Sequence, residues 1–223
     1  MDVSGRKIAL NTVLLSATEF LTRLISLALI ILVARRLGPV MLGIYAFALG
    51  LLRVCDIFVN FGMDRYLQRE VGRSPEWAGP LFSRVFALKS LVYVPILLGI
   101  LGLSFVIIDE PLKRQVLLIL TLALFFRTHT TSAAALFRAR QKAQYEAAVV
   151  LTMRLLYGGL GLAAILSGQG LLTLVSLELG AWIAAFLAAV GVFWRRIAYP
   201  WHRVAWADLK QLVLLSKDFF FIR

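Results

Sequence analysis

Apolar residues along the chain come in long unbroken runs rather than in stripes. Six runs can be marked, at about 9–34, 40–62, 81–108, 112–137, 146–167 and 171–194. Each is near or above the ~20 residues that a helix needs to cross ~30 Å of hydrocarbon. No ten-residue alternating segments appear, which transmembrane strands would require. The pattern therefore predicts an all-α, polytopic membrane protein with a six-helix transmembrane lobe over 1–194.

The first run does not read as a cleavable signal peptide. Arg6 and Lys7 imitate its basic start, but Glu19 and Arg23 interrupt the apolar stretch, which continues to Ala34. A signal core is only 7–15 residues long and precedes a small-residue cleavage site. After the sixth run comes a polar and aromatic connector over 195–207, including Tyr199-Pro200-Trp201-His202-Arg203. Such residues favour the headgroup level. Residues 208–223 read as an interfacial helix or the start of a seventh span.

Composition agrees with the runs. Of 223 residues 61% are hydrophobic and 16% charged, against about 25% charged in typical soluble domains. This excludes a soluble enzyme, a disordered chain and a fibrous repeat. The net charge of +12 would point to nucleic acid in a soluble protein, but here the basic residues flank the apolar runs. Counting Lys and Arg by alternate sides gives 13 on the side of the N-terminus and 4 opposite. The positive-inside rule then places the N-terminus in the cytoplasm and the protein in the cell (inner or plasma) membrane. The single cysteine, Cys55, lies inside a run and reads as a packing residue.

Some charges fall within the runs. Arg23, Arg53, Lys89, Arg127 and Arg154 are accompanied by Glu19, Asp56 and Glu178. A charge at mid-bilayer costs at least ~2.5–3.5 kcal/mol, so these groups must face a wet cavity, a partner charge or the interface. Glu19 and Arg23 stand at i,i+4 and Arg53 and Asp56 at i,i+3, so each pair shares a helix face. These read either as neutralised pairs that help packing or as cavity groups. Lys89, Arg127 and Arg154 have no such local partner, and Lys89 and Arg127 lie within snorkelling reach of the inner end. Five cations against three acids leave an excess of positive charge, which suits an anion. Arg23, Arg53 and Arg154 are expected to face one shared interior surface.

Weaker features are His129, read as a proton relay or as part of a polar helix face, and Pro95 with Gly158, Gly159 and Gly161, read as packing or hinge positions. No GxxxxGK[ST], HExxH or GxSxG motif is present, and His129 and His202 lie in separate segments. Neither catalysis nor a metal or cofactor site is expected.

Several segments then carry a resemblance. Ala34-Arg35-Arg36-Leu37-Gly38-Pro39 with Gly43-Ile44-Tyr45 is similar to the turn between the first two helices of the polysaccharide (O-antigen unit) flippases. These belong to the multidrug/oligosaccharidyl-lipid/polysaccharide exporter superfamily. Asp56, Phe61-Gly62 and Arg69-Glu70-Val71 resemble that family's pattern at the end of helix 2. Phe137-Arg138-Ala139-Arg140-Gln141 with Tyr145 resembles its loop after helix 4.

The resemblance implies a flippase, working by alternating access, that moves undecaprenyl-diphosphate-linked sugar units across the membrane during surface polysaccharide biosynthesis. It implies one lobe of a MATE-like, two-lobed fold, so a second six-helix lobe or a homodimer is the expected protein partner. Guanidinium groups offer paired donors to a diphosphate. The resemblance makes Arg23 and Arg53 the first choices for cargo contacts, then Arg154 and Lys89, with Glu19 and Asp56 tuning them or coupling to an ion. The competing readings are a multidrug or organic-cation exporter of the same superfamily, which would want an acidic or apolar cavity, and a non-transporting membrane fragment or scaffold.

Overall fold

The computed structural model describes residues 3–196, 202 and 204–220. It is all-helical, with no strand among the described residues. The α-helices are α1 Val3–Leu32, α2 Gly38–Asn60, α3 Met63–Arg73, α4 Ala78–Ile107, α5 Pro111–Ala139, α6 Ala143–Leu166, α7 Leu171–Arg196 and α8 Trp206–Phe220. Every expected apolar run coincides with a long helix. Helix α5 lies at the centre of the bundle, packing on α7, α3, α4 and α2, while α1 lies along α6. Its buried face carries small residues, Ser132 and Ala133 to Ala135, which let neighbouring backbones approach.

By length and composition, five stretches of the described residues could cross a membrane: Arg23–Asn60, Pro75–Ile107, Pro111–Ala139, Gln144–Leu166 and Leu171–Phe193. That is one fewer than the six runs read from sequence. The first stretch contains parts of two expected crossings, because the turn between them is itself helical. A π-helical turn, Val33–Leu37, continues directly from α1, and α2 begins at the next residue. Gly38, at φ +86°, is the break between the two axes. That backbone conformation is open to glycine and strained for residues with a Cβ. At about 1.5 Å per residue the 38 residues would reach roughly 57 Å if straight, nearly twice the hydrocarbon thickness.

The largest departure from expectation is α3. Sequence patterning ends helix 2 and then gives a polar loop to residue 81. Instead, the left-handed pair Phe61 and Gly62 (φ +35° and +75°) ends α2 and starts an eleven-residue amphipathic helix. Met63, Leu67 and Val71 form its buried stripe, one residue per turn, against α5, α4 and α8. Helix α8 covers the 208–223 segment, read as an interfacial helix or the start of a seventh span, as far as residue 220. It is tied to the start of α4 by an Asp208–Arg84 ion pair at 2.9 Å. Of the 195–207 connector, residues 197–201 and 203 lie outside the described residues. His202, which is described, donates its backbone N–H to Ser83 Oγ at 3.3 Å.

Helix α4 passes through Pro95 without interruption. The glycines of α6 divide. At Gly158 α1 packs close, and a Cβ there would lie 2.5 Å from Ile25 Cγ2. At Gly161 it would lie 3.0 Å from Leu174, while Gly159 faces open space. The packing reading therefore has a geometric basis at two of the three positions.

Candidate functional site

The C-terminal turns of α2 and α5 and the first turns of α3 enclose a cavity of about 780 Å³. Arg53, Asp56 and Asn60 enter it from α2, Asp64, Arg65 and Gln68 from α3, and Thr131 and Arg138 from α5. The Phe61–Gly62 reversal is what brings α3's first turn back beside the end of α2.

Behind the wall, each acid has a dedicated cation. Asp56 Oδ2 lies 2.9 Å from Arg127 Nη2 of α5. Asp64 Oδ1 accepts from Lys89 Nζ at 2.7 Å and from Ser132 Oγ at 2.6 Å. Lys89 is fully buried and also donates to the Thr128 carbonyl at 3.2 Å. Arg138 meets Glu146 side-on, with Nε donating to Oε2 at 3.1 Å and Nη2 to Oε1. Such two-point pairing is strong and fixes the guanidinium plane. With these pairs closed, Arg53 and Arg65 remain. Both are exposed, line the cavity and have no ion-pair partner among the described residues. The cavity therefore presents two uncompensated guanidinium groups.

This arrangement corrects the pairing read from sequence. Asp56 bridges to Arg127, 71 residues away, rather than to its helix neighbour Arg53. Lys89 has a counterion distant in sequence, Asp64, which lies between the second and third apolar runs. The structure brings Arg53 and Asp56 into the cavity, with Lys89 one contact behind it. Arg154 is not in its lining; it sits where α6 meets α1 and donates from Nη1 to Ser26 Oγ at 3.2 Å. Arg23 is exposed on α1 and is likewise outside this lining. Glu19 belongs to α1, but its side chain lies outside the described residues. Sequence reasoning missed Arg65, Arg138 and Asn60, of which both arginines had been counted as loop charges.

His129 sits in an aromatic box. It stacks on Phe86 with centroids 4.0 Å apart, meets Phe125 edge-on at 4.5 Å, and contacts Ser90 Oγ through Nε2 at 3.2 Å. A second groove of about 360 Å³ lies between α3, α4 and α8. There Tyr66 has its phenol held above the ordinary range by burial, with Glu70 adding to the effect. Among the described residues no group of three or more His, Cys, Asp or Glu side chains is placed to hold a metal.

No curated protein and no solved structure matches the chain. A family model described as polysaccharide biosynthesis protein matches residues 8–222. With that match across nearly the whole length of a bundle of long apolar helices, the chain belongs to the polysaccharide biosynthesis protein family of multi-pass membrane proteins.

Proposed function

We propose that the chain serves as a transmembrane flippase for oligosaccharide units carried on a polyprenyl diphosphate, undecaprenyl diphosphate by the family resemblance. The α2–α3–α5 cavity receives the diphosphate. The observation that carries this reading is the pair of uncompensated guanidiniums, Arg53 and Arg65, in a cavity whose other charges are matched. A diphosphate is a dense anion, and planar guanidinium binds its oxygens two at a time. Asn60 and Gln68 add amide groups beside those cations, of the kind that hydrogen-bond sugar hydroxyls.

The cavity lies at the end of the bundle that carries the arginine-rich 61–77 segment. The charge asymmetry of the chain makes that end cytoplasmic, where lipid-linked units would be loaded. Asp56 tunes the site through Arg127, and Lys89 through Asp64. Arg154 and Arg23, on α6 and α1, form a second cationic surface that cargo meets as alternating access, the motion the family resemblance implies, moves it outward. An organic-cation exporter fits less well, because the leftover charge repels such cargo.

The test is direct binding of a polyprenyl diphosphate to the purified chain in lipid nanodiscs. Removing one charge-assisted contact at about 1.5–3 kcal/mol predicts a Kd raised roughly 10- to 150-fold for Arg53→Ala or Arg65→Ala. Arg53→Lys should recover only part of the loss. Unchanged binding in both alanine variants, or competition by an organic cation, would defeat the reading.

A further inference from the structure

Among the described residues buried in the bundle is a carboxylate to which the cavity assigns no role. Glu178 of α7 is buried at 8% exposure. Of the other described acids packed into the bundle, Asp56, Asp64 and Glu146 each face an Arg or Lys within ion-pair distance. Glu178 has no such pair among the described residues. Its partners are hydroxyls. Tyr45 of α2 donates to Glu178 Oε2 at 3.0 Å, and the Tyr45 and Tyr157 hydroxyls lie 2.9 Å apart, bringing α6 into the same cluster. Tyr45 and Tyr157 are themselves buried.

We propose that Glu178 is a reversible proton-binding site, with Tyr45 and Tyr157 as the hydroxyl pair that holds either form of the carboxyl. An isolated buried carboxylate is costly, and neutralisation is its ordinary escape. An ionisable group at membrane depth that is not consumed by a structural pair is a candidate for carrying a proton. The hydroxyl setting suits both states, since a tyrosine O–H donates to the carboxylate and its oxygen accepts from the acid. Uptake adds one proton to Glu178 and breaks no bond in the chain. Hydroxyl rotation at Tyr45 and Tyr157 absorbs the change.

A metal cation fits the cluster poorly. Hard cations gather about six oxygens, and here one carboxyl and two phenols converge. The charges facing the site are also cationic: Arg154 from α6 and Arg127 from α5, whose fields reach Glu178 without an ion pair. On α7 itself the other ionisable residues are Arg195 and Arg196, whose backbone positions lie roughly 25 Å further along the helix axis.

The consequence for transport rests on the diphosphate reading above. Neutral Glu178 removes the negative charge that offsets Arg154, while Arg127 keeps its bridge to Asp56, and the interior becomes more attractive to an anion. Proton uptake then accompanies cargo loading.

The proton site is tested without cargo. Infrared difference spectra of the full chain in nanodiscs are recorded across a pH series. The wild type should show a protonated-carboxyl C=O band that is lost in Glu178→Gln, a near-isosteric change. Tyr45→Phe should keep the band at a shifted frequency, because one hydrogen bond to the carboxyl is gone. Identical wild-type and Glu178→Gln difference spectra would overturn the proposal, as would a band displaced by sodium but not by potassium. In a second measurement, addition of polyprenyl diphosphate to weakly buffered protein should draw protons from solution in the wild type and not in Glu178→Gln. Absence of diphosphate binding with the infrared band intact would defeat the cargo reading alone and leave the proton site standing.

Discussion

Lys89 Nζ lies 2.7 Å from Asp64 Oδ1 and joins α4 to the first turn of α3 across the wall of the cavity. The ammonium is completely buried, so its neutraliser matters more than in a surface pair. Removing one partner of a buried pair costs about 3–5 kcal/mol, because the other charge is left in a poor solvent. Asp64→Asn should therefore lower the melting temperature of the purified protein markedly. Asp64→Asn combined with Lys89→Met should recover most of the loss, since no stranded charge remains. A double variant no more stable than the single would show that the pair is not what holds α3 in place.

How far the sequence speaks for itself differs between the helices and the site. The long spans are legible because hydrocarbon demands continuous apolar runs, and length alone finds them. Helix α3 escaped because its signal is three residues, Met63, Leu67 and Val71, set among seven polar or charged ones. The merged first stretch escaped because a π-helical turn at Val33–Leu37 looks like a loop in a polarity reading. Asp56 was legible as a cavity group, but its partner was not. Local spacing favours Arg53, and only the packing of α2 on α5 brings Arg127 within 2.9 Å. Long-range pairing leaves no periodic trace.

The glycine pattern of α6 yields a contrast within three residues. A methyl group at Gly158 would lie 2.5 Å from Ile25 Cγ2, a branch atom that cannot swing away without changing χ1. Gly158→Ala should destabilise the α1–α6 contact by about 1–3 kcal/mol, the usual range for overpacking. Gly159→Ala meets nothing within 4 Å and should be neutral or mildly stabilising, since alanine favours helix. Ile25→Ala in the Gly158→Ala background should restore part of the loss. Thermal unfolding of the four proteins in detergent checks the order.

Asp56 and Arg127 give opposite expectations for anion binding. Asp56→Asn removes an acid from the lining and releases Arg127 from its bridge. Diphosphate binding should tighten by about 1 kcal/mol, roughly fivefold. Arg127→Gln leaves Asp56 as an uncompensated anion in the cavity and should weaken binding by a similar factor. Both effects should shrink with added salt, since these side chains are about a quarter exposed. Titrations in nanodiscs at two ionic strengths read them. Equal effects of the two variants would mean that the bridge acts through structure and not through charge.

The count of 13 Lys and Arg against 4 makes a topological prediction that the helices sharpen. Glu76 lies in the exposed 3₁₀ turn before α4, on the cavity side, and Gln169 lies in the exposed turn between α6 and α7. Three long helices, α4, α5 and α6, each long and apolar enough to cross a membrane, separate those two turns and put them at opposite ends of the bundle. In a Cys55→Ala background, Gln169→Cys should react with a membrane-impermeant maleimide in intact cells. Glu76→Cys should react only after the membrane is opened. The reverse pattern would put the cavity on the outer face and remove the loading step from the cytoplasm, while labelling of both sites in intact cells would contradict an odd number of crossings between them.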